Sequence, residues 1–97
     1  MRLVYITCRD GKEAEFISKA LIEKKLVKCT NIFPVKSIFM WKGKLQEQKE
    51  TVLIAKTKEN FNRIKKEVEN IHSYEVPCII SFTVDSNTKF LNWINQP

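Results

Sequence analysis

His72, Cys8, Cys29 and Cys78 are the side chains of this 97-residue sequence best suited to hold a soft or borderline metal ion. Cysteine and methionine favour Cu(I), while imidazole suits Cu(II) and Zn(II). The three cysteines are an odd number and form no Cys-x-x-Cys pair, so neither a disulfide framework nor a zinc knuckle is expected. Catalysis has less to work with. There is one histidine, and no serine or cysteine sits in a nucleophile elbow. The only glycines are Gly11 and Gly43, too few for a phosphate-cradling loop. The carboxylates are scattered along stretches that read as helix surfaces. A binding protein is expected in preference to an enzyme.

Whether those ligands meet depends on the elements that carry them. Leu3 to Cys8 is short, β-branched and aromatic, which predicts a first strand. Asp10 stands three residues before Glu13, a capping-box-like start. Phe16, Ile17, Ala20 and Leu21 then line one face of a helix expected from Gly11 to about Lys25. Between Cys29 and Thr57 the one tight turn signal is Lys42-Gly43, so two long strands are predicted in a single hairpin. Each arm, at about 12 residues, reaches about 40 Å, which is long for a chain whose radius of gyration should be about 13 Å. Pro34 cannot donate to a ladder and marks a bulge or an edge. Thr57 is a candidate cap for a second helix carrying Phe61, Ile64, Val68 and Ile71. Pro77 opens a fourth strand, Cys78 to Val84, and Phe90, Leu91, Trp93 and Ile94 mark a short final helix.

This order, β-α-β-β-α-β plus a helix, predicts a single α+β domain over residues 1–97 with the ferredoxin-like split βαβ arrangement. In that topology Cys8, His72 and Cys78 gather at one end of the sheet and Cys29 lies at the other. Cys8 and Cys78 also carry core-face parity, where free cysteines are common, and burial is the stronger reading. The helix-facing set is expected to be Val4, Ile6, Ile80, Phe82 and Val84. Leu3, Tyr5, Thr7, Ile79, Ser81 and Thr83 would then face away. A solvated outer face should be polar, yet this one is about half apolar, so other copies of the chain are expected to cover it.

The net charge of +6 invites an anionic partner. Many lysines, however, stand beside glutamates at helical spacing, as in Lys65-Lys66-Glu67, and read as solvated faces. The same element order builds the RNA-recognition motif, but Thr51 to Lys56, where a base-stacking strand would lie, has no aromatic. No nucleic-acid partner is expected. Met1 to Cys8 lacks the features of a signal peptide, and no apolar run approaches the roughly 18 residues of a membrane span. A cytoplasmic protein without membrane attachment is expected.

Three segments carry a resemblance to a known family. Leu26-Val27-Lys28-Cys29-Thr30-Asn31-Ile32 with Pro34 resembles the approach to the second strand of the CutA family, the divalent-cation tolerance proteins. Ser37 to Lys44, with Trp41-Lys42-Gly43, resembles that family's hairpin and its Trp-x-Gly turn. His72-Ser73-Tyr74-Glu75-Val76-Pro77 resembles its His-Pro-Tyr-Glu-x-Pro signature, with Ser73 in place of the first proline. Lys56-Thr57 and Leu91-x-Trp93-Ile94 also match. The resemblance implies a homotrimer whose hairpins reach across to neighbours, and a role in tolerance of copper and other divalent metals. It also implies kinship with the PII signalling proteins, hence an alternative role as a scaffold binding a small metabolite or a partner protein. It places Cys29, Asn31, Trp41, Lys56, Tyr74 and Glu75 near subunit boundaries, where they would line a small-anion or metabolite pocket or tie subunits together. The copper site of some members, a first-strand cysteine with two adjacent histidines, falls here on Ile6, Ile71 and His72. Only His72 can coordinate, so no tightly bound copper or other divalent cation is expected.

Overall fold

The turn that sets the shape of the molecule is Lys42-Gly43, where both residues have positive φ, +50° and +78°. That is the two-residue turn whose twist matches a hairpin. In the computed structural model, which describes residues 1–97, it joins β2 (Cys29–Trp41) to β3 (Lys44–Thr57). The other elements are β1 (Arg2–Cys8), α1 (Gly11–Glu23), α2 (Phe61–Ile71), β4 (Ile79–Thr83) and α3 (Thr88–Asn95). The four strands form one antiparallel sheet in the order β2-β3-β1-β4. The element order is that of the ferredoxin-like arrangement. Pro34 lies on β2, an edge strand, where its missing N–H costs nothing to the ladder. No helix is long and apolar enough to cross a membrane.

The core lies between the sheet and the first two helices. Val4, Ile6 and Cys8 of β1 and Leu53 and Ala55 of β3 meet Ala14, Ile17 and Leu21 of α1 and Ile64 and Val68 of α2. Phe16 does not join them and is exposed, because the buried face of α1 runs through 14, 17 and 21. Helix α1 also stops at Glu23 rather than Lys25. Lys25 turns to φ +59°, and the Leu26 amide donates back to the Leu21 carbonyl, closing the helix. The cap of α2 is Asn60, whose side chain accepts from the Asn62 amide at 2.7 Å. Thr57, the expected cap, instead donates its hydroxyl to the Leu26 carbonyl at 2.7 Å and accepts from the Glu59 amide at 2.8 Å.

The fourth strand corrects the expected facing. Val4 pairs with Ser81 and Ile6 with Ile79, so Ile79 and Ser81 share the helix side with the core of β1. Ile80 and Phe82 point the other way and are exposed. Cys78 likewise takes outer-face parity, opposite to Cys8. Both sets of residues on β4 are partly apolar, so periodicity alone does not choose between them. The ladder to β1 does, and a slip of one residue exchanges the faces. The outer face is therefore more apolar than expected, with Leu3, Tyr5, Ile80 and Phe82 together.

The hairpin outruns the sheet. Strand β3 pairs with β1 only from Thr51 to Thr57, so Lys44–Glu50 has β2 on one edge and no strand on the other. The molecule extends 45 Å along its long axis and about half that across it, at 25 and 22 Å.

Candidate functional site

At the end of the sheet where β1 stops, two helix ends converge. Asp10 caps α1, accepting the Glu13 amide at 2.9 Å through Oδ1. The Glu13 side chain turns back, and its Oε1 accepts the Arg9 amide at 2.9 Å, one residue before the cap. Its Oε2 accepts the amide of Ser73, sixty positions along the chain, at 3.0 Å. His72 ends α2 with its ring covered by protein. Its Nε2 lies 2.8 Å from the Thr7 carbonyl, and its Nδ1 accepts the Tyr74 amide at 3.0 Å. A carbonyl only accepts, so Nε2 carries the proton and Nδ1 the lone pair. Ligand atoms of Cys8, Glu13 and His72 lie within 4.8 Å of one another.

The gathering of Cys8 and His72 follows the predicted topology, but the third member is Glu13, not Cys78. Cys78 is on the opposite face of the sheet because the register of β4 against β1 turns it outward. Glu13 was hidden by its role as a capping residue, and its spacing from Asp10 was the available signal.

This node fixes residues 72–74, and the connector they begin leads to a cavity of about 640 Å³ between it and the outer face of the hairpin. Trp41, Tyr74 and Glu75 line it, as do Cys78 and Glu50. The Tyr74 hydroxyl donates to Glu50 Oε2, and the His72 and Tyr74 rings stand 4.9 Å apart. Burial, then the bond to Glu50, pushes the Tyr74 phenol up, so it stays a donor. Cys29, Asn31 and Lys56 are not in this cavity. Cys29 pairs with Lys56 and Asn31 with Ile54, at the far end of the hairpin root. Lys56 lies 5.5 Å from the Phe90 ring centroid, against α3. Glu50 carries little signal in the sequence because it ends a polar run, Gln46 to Glu50. The alternation of 46, 48 and 50 on one face was its signal, and all three line the cavity.

A model of the CutA1 divalent ion tolerance proteins matches residues 2–97. The chain belongs to the CutA1 family. It is 45% identical over 95 residues to the divalent-cation tolerance protein CutA of Archaeoglobus fulgidus, covering 96% of this chain and 93% of the relative. The solved structure of that organism's protein, described as periplasmic, superposes with a TM-score of 0.93 at 44% identity, covering 98% of this chain and 96% of the other. A PII-like CutA from Nostoc superposes at 0.88 with 28% identity, covering 97% and 93%.

CutA1 proteins are named for divalent ions, so the node must be tested as a metal centre. Its residues do not fit one. Both His72 nitrogens are engaged by backbone, and both Glu13 oxygens accept backbone amides. A metal ligand must be deprotonated. The Cys8 thiol is pushed up to about 12, by burial first and then by the charges of Glu13, Glu50 and Asp10. Burial also tends to raise the Glu13 carboxyl, but the amides of Arg9 and Ser73 outweigh it and hold it below its usual range. The node of this CutA1 chain ties β1, α1 and the connector together and aims Tyr74 into the cavity.

Proposed function

We propose that this chain serves divalent-metal tolerance as a homotrimer that binds its ligand rather than turning it over. The observation that supports assembly best is the unsupported hairpin. A two-stranded ribbon is marginal in water, and an open edge invites a strand from another chain. The ribbon also exposes Ile38, Met40 and Leu45, the last 70% accessible, and the outer sheet face exposes Ile80 and Phe82. Apolar exposure on that scale marks an interaction surface. The trimer is the assembly implied by the family resemblance. Copper or another divalent cation would be held loosely on accessible donors, because the buried node offers it no free ligand. Thermal melts with increasing Cu(II), reversed by a chelator, test the metal role. A Tm that rises with copper and falls back is expected. A Tm unmoved by copper, zinc and manganese would contradict it.

A second reading, a PII-like module that binds a small molecule, is favoured by the 640 Å³ cavity, a volume within the range of small-ligand sites.

A further inference from the structure

Helices α1 and α2 cover the face of the sheet opposite to the one proposed to meet other copies. The overhang of the hairpin begins past Thr51, which pairs with Cys8 at the end of the sheet that holds the Glu13 and His72 node. Glu13 opens α1 and binds Ser73 just after α2, so the helices are antiparallel and the Lys24 end of α1 lies beside the earlier turns of α2. A cleft forms there, away from both assembly surfaces. Lys25 at φ +59° and the return of the Leu26 amide to the Leu21 carbonyl turn the chain beneath α1. Arg63, Lys66, Glu67 and Asn70 recur at three-one-three spacing and share one flank of α2. With Lys24 and Leu26 they line a cleft of about 310 Å³, in which Leu26 is the one apolar wall.

The charges in this cleft do not balance. Lys24, Arg63 and Lys66 stand against Glu67 alone, three cations to one carboxylate, an excess of two. Lys24 pairs with Glu67, and Arg63 Nη1 pairs with Glu59 at 2.9 Å. Lys66 is exposed and forms no ion pair. A guanidinium has five N–H donors, so the bond to Glu59 leaves Arg63 others to give. Asn70 adds a neutral amide donor. The Lys65-Lys66-Glu67 run therefore divides, with Lys66 and Glu67 in the cleft and Lys65 outside it. A phosphate monoester carries a charge of about −1.5 to −2 near neutral pH and three acceptor oxygens, which matches both the excess charge and the donors. A divalent cation would meet three like charges, and an apolar ligand would find one apolar wall.

We propose that the cleft between α1 and α2 binds a small soluble phosphate monoester, with the phosphate on Lys66, Arg63 and the Asn70 amide. The site is separate from the metal role and from the cavity beside the hairpin, and each chain carries a complete copy of it. Glu67 sets the affinity by holding Lys24 and by opposing the incoming charge.

The test titrates the intact protein with glycerol phosphate and with glycerol at a constant ionic strength of roughly 0.05 M, where exposed charges are only partly screened. The side-chain amide of Asn70 and the backbone amides of Lys66 and Glu67 report binding in a proton–nitrogen spectrum. The phosphate ester should shift them saturably, with a Kd of about 1 mM or below and one equivalent per chain, and glycerol should not. Lys66→Gln should weaken binding about tenfold, the scale of one hydrogen bond to a charged group, and leave the Tm unchanged. Glu67→Gln frees Lys24 and removes the opposing charge, and should tighten binding about threefold. Absence of a saturable shift, an equal response to glycerol, or a Kd unmoved by either substitution would overturn the proposal. So would one equivalent per three chains, since the site would then lie between copies. Phosphatidic acid carries the same group on a lipid, and vesicles of phosphatidylcholine containing it should leave the protein in the supernatant. Sedimentation that depends on Lys66, without a saturable response to glycerol phosphate, would assign this face to a membrane surface and overturn the soluble ligand.

Discussion

Replacing His72 with alanine separates a structural ring from a metal-ligating one. The ring makes two hydrogen bonds to backbone, at 2.8 Å to the Thr7 carbonyl and 3.0 Å from the Tyr74 amide. Each contributes about 1 kcal/mol net, and stranding the partners in a covered site adds to the loss. The vacated ring volume adds a further packing term. The expected destabilisation is about 3 kcal/mol, equivalent to a Tm lower by about 12–20 °C for a chain of this size. Urea unfolding must compare parent and variant at one protein concentration, because assembly couples stability to concentration. A parallel Cu(II) titration should show no loss of affinity, since neither ring nitrogen is free to coordinate. A variant within about 0.5 kcal/mol of the parent that also loses copper affinity tenfold or more would refute the reasoning. The ring would then be a ligand and not a strut.

Glu13→Gln replaces one of two acceptor oxygens by a donor that faces an amide N–H, and should cost about 2 kcal/mol at pH 7 in urea unfolding. The folded-state value of the Glu13 carboxyl lies below the unfolded one, so its contribution is complete above about pH 4.3 and is lost as pH falls through the folded value. The gap between parent and variant should therefore narrow below pH 4. Gly43→Ala places a Cβ at φ +78°, and should lower stability by about 1 kcal/mol in the same assay without changing the β content by circular dichroism. Cys8, fully buried and with its thiol pushed up to about 12, should react with a disulfide reagent only on unfolding, read as the last thiol modified in a timed mass spectrum.

Features governed by local chemistry were legible in the sequence. The Lys42-Gly43 turn, the facing of β1 and the apolar face of α2 follow from backbone permission and periodicity, which act within a few residues. The facing of β4 did not, because Ile79 and Ile80 are equally apolar and only pairing with β1 chooses between them. Thr57 looked like a cap because threonine before a charged helix usually is one. Its hydroxyl is taken by Leu26, thirty-one positions away in the chain, a contact no local pattern carries. The site divides in the same way. Topology brings Cys8 to His72, but Glu13 reads only as a capping residue and Glu50 only as the end of a polar run until the fold buries them. Cys29, Asn31 and Lys56 belong to the opposite end of the hairpin root, since a ribbon this long separates its ends by most of the molecule's length.

Assembly through the hairpin is the claim on which the rest depends, and a native mass in solution tests it most directly. Three copies of the 11.4 kDa chain give a particle of about 34 kDa, which should persist at micromolar concentration and without added metal. A species at 11.4 kDa under those conditions would contradict the account, because the open edge of β3 and the exposed apolar residues of the ribbon would then stand in water without a partner.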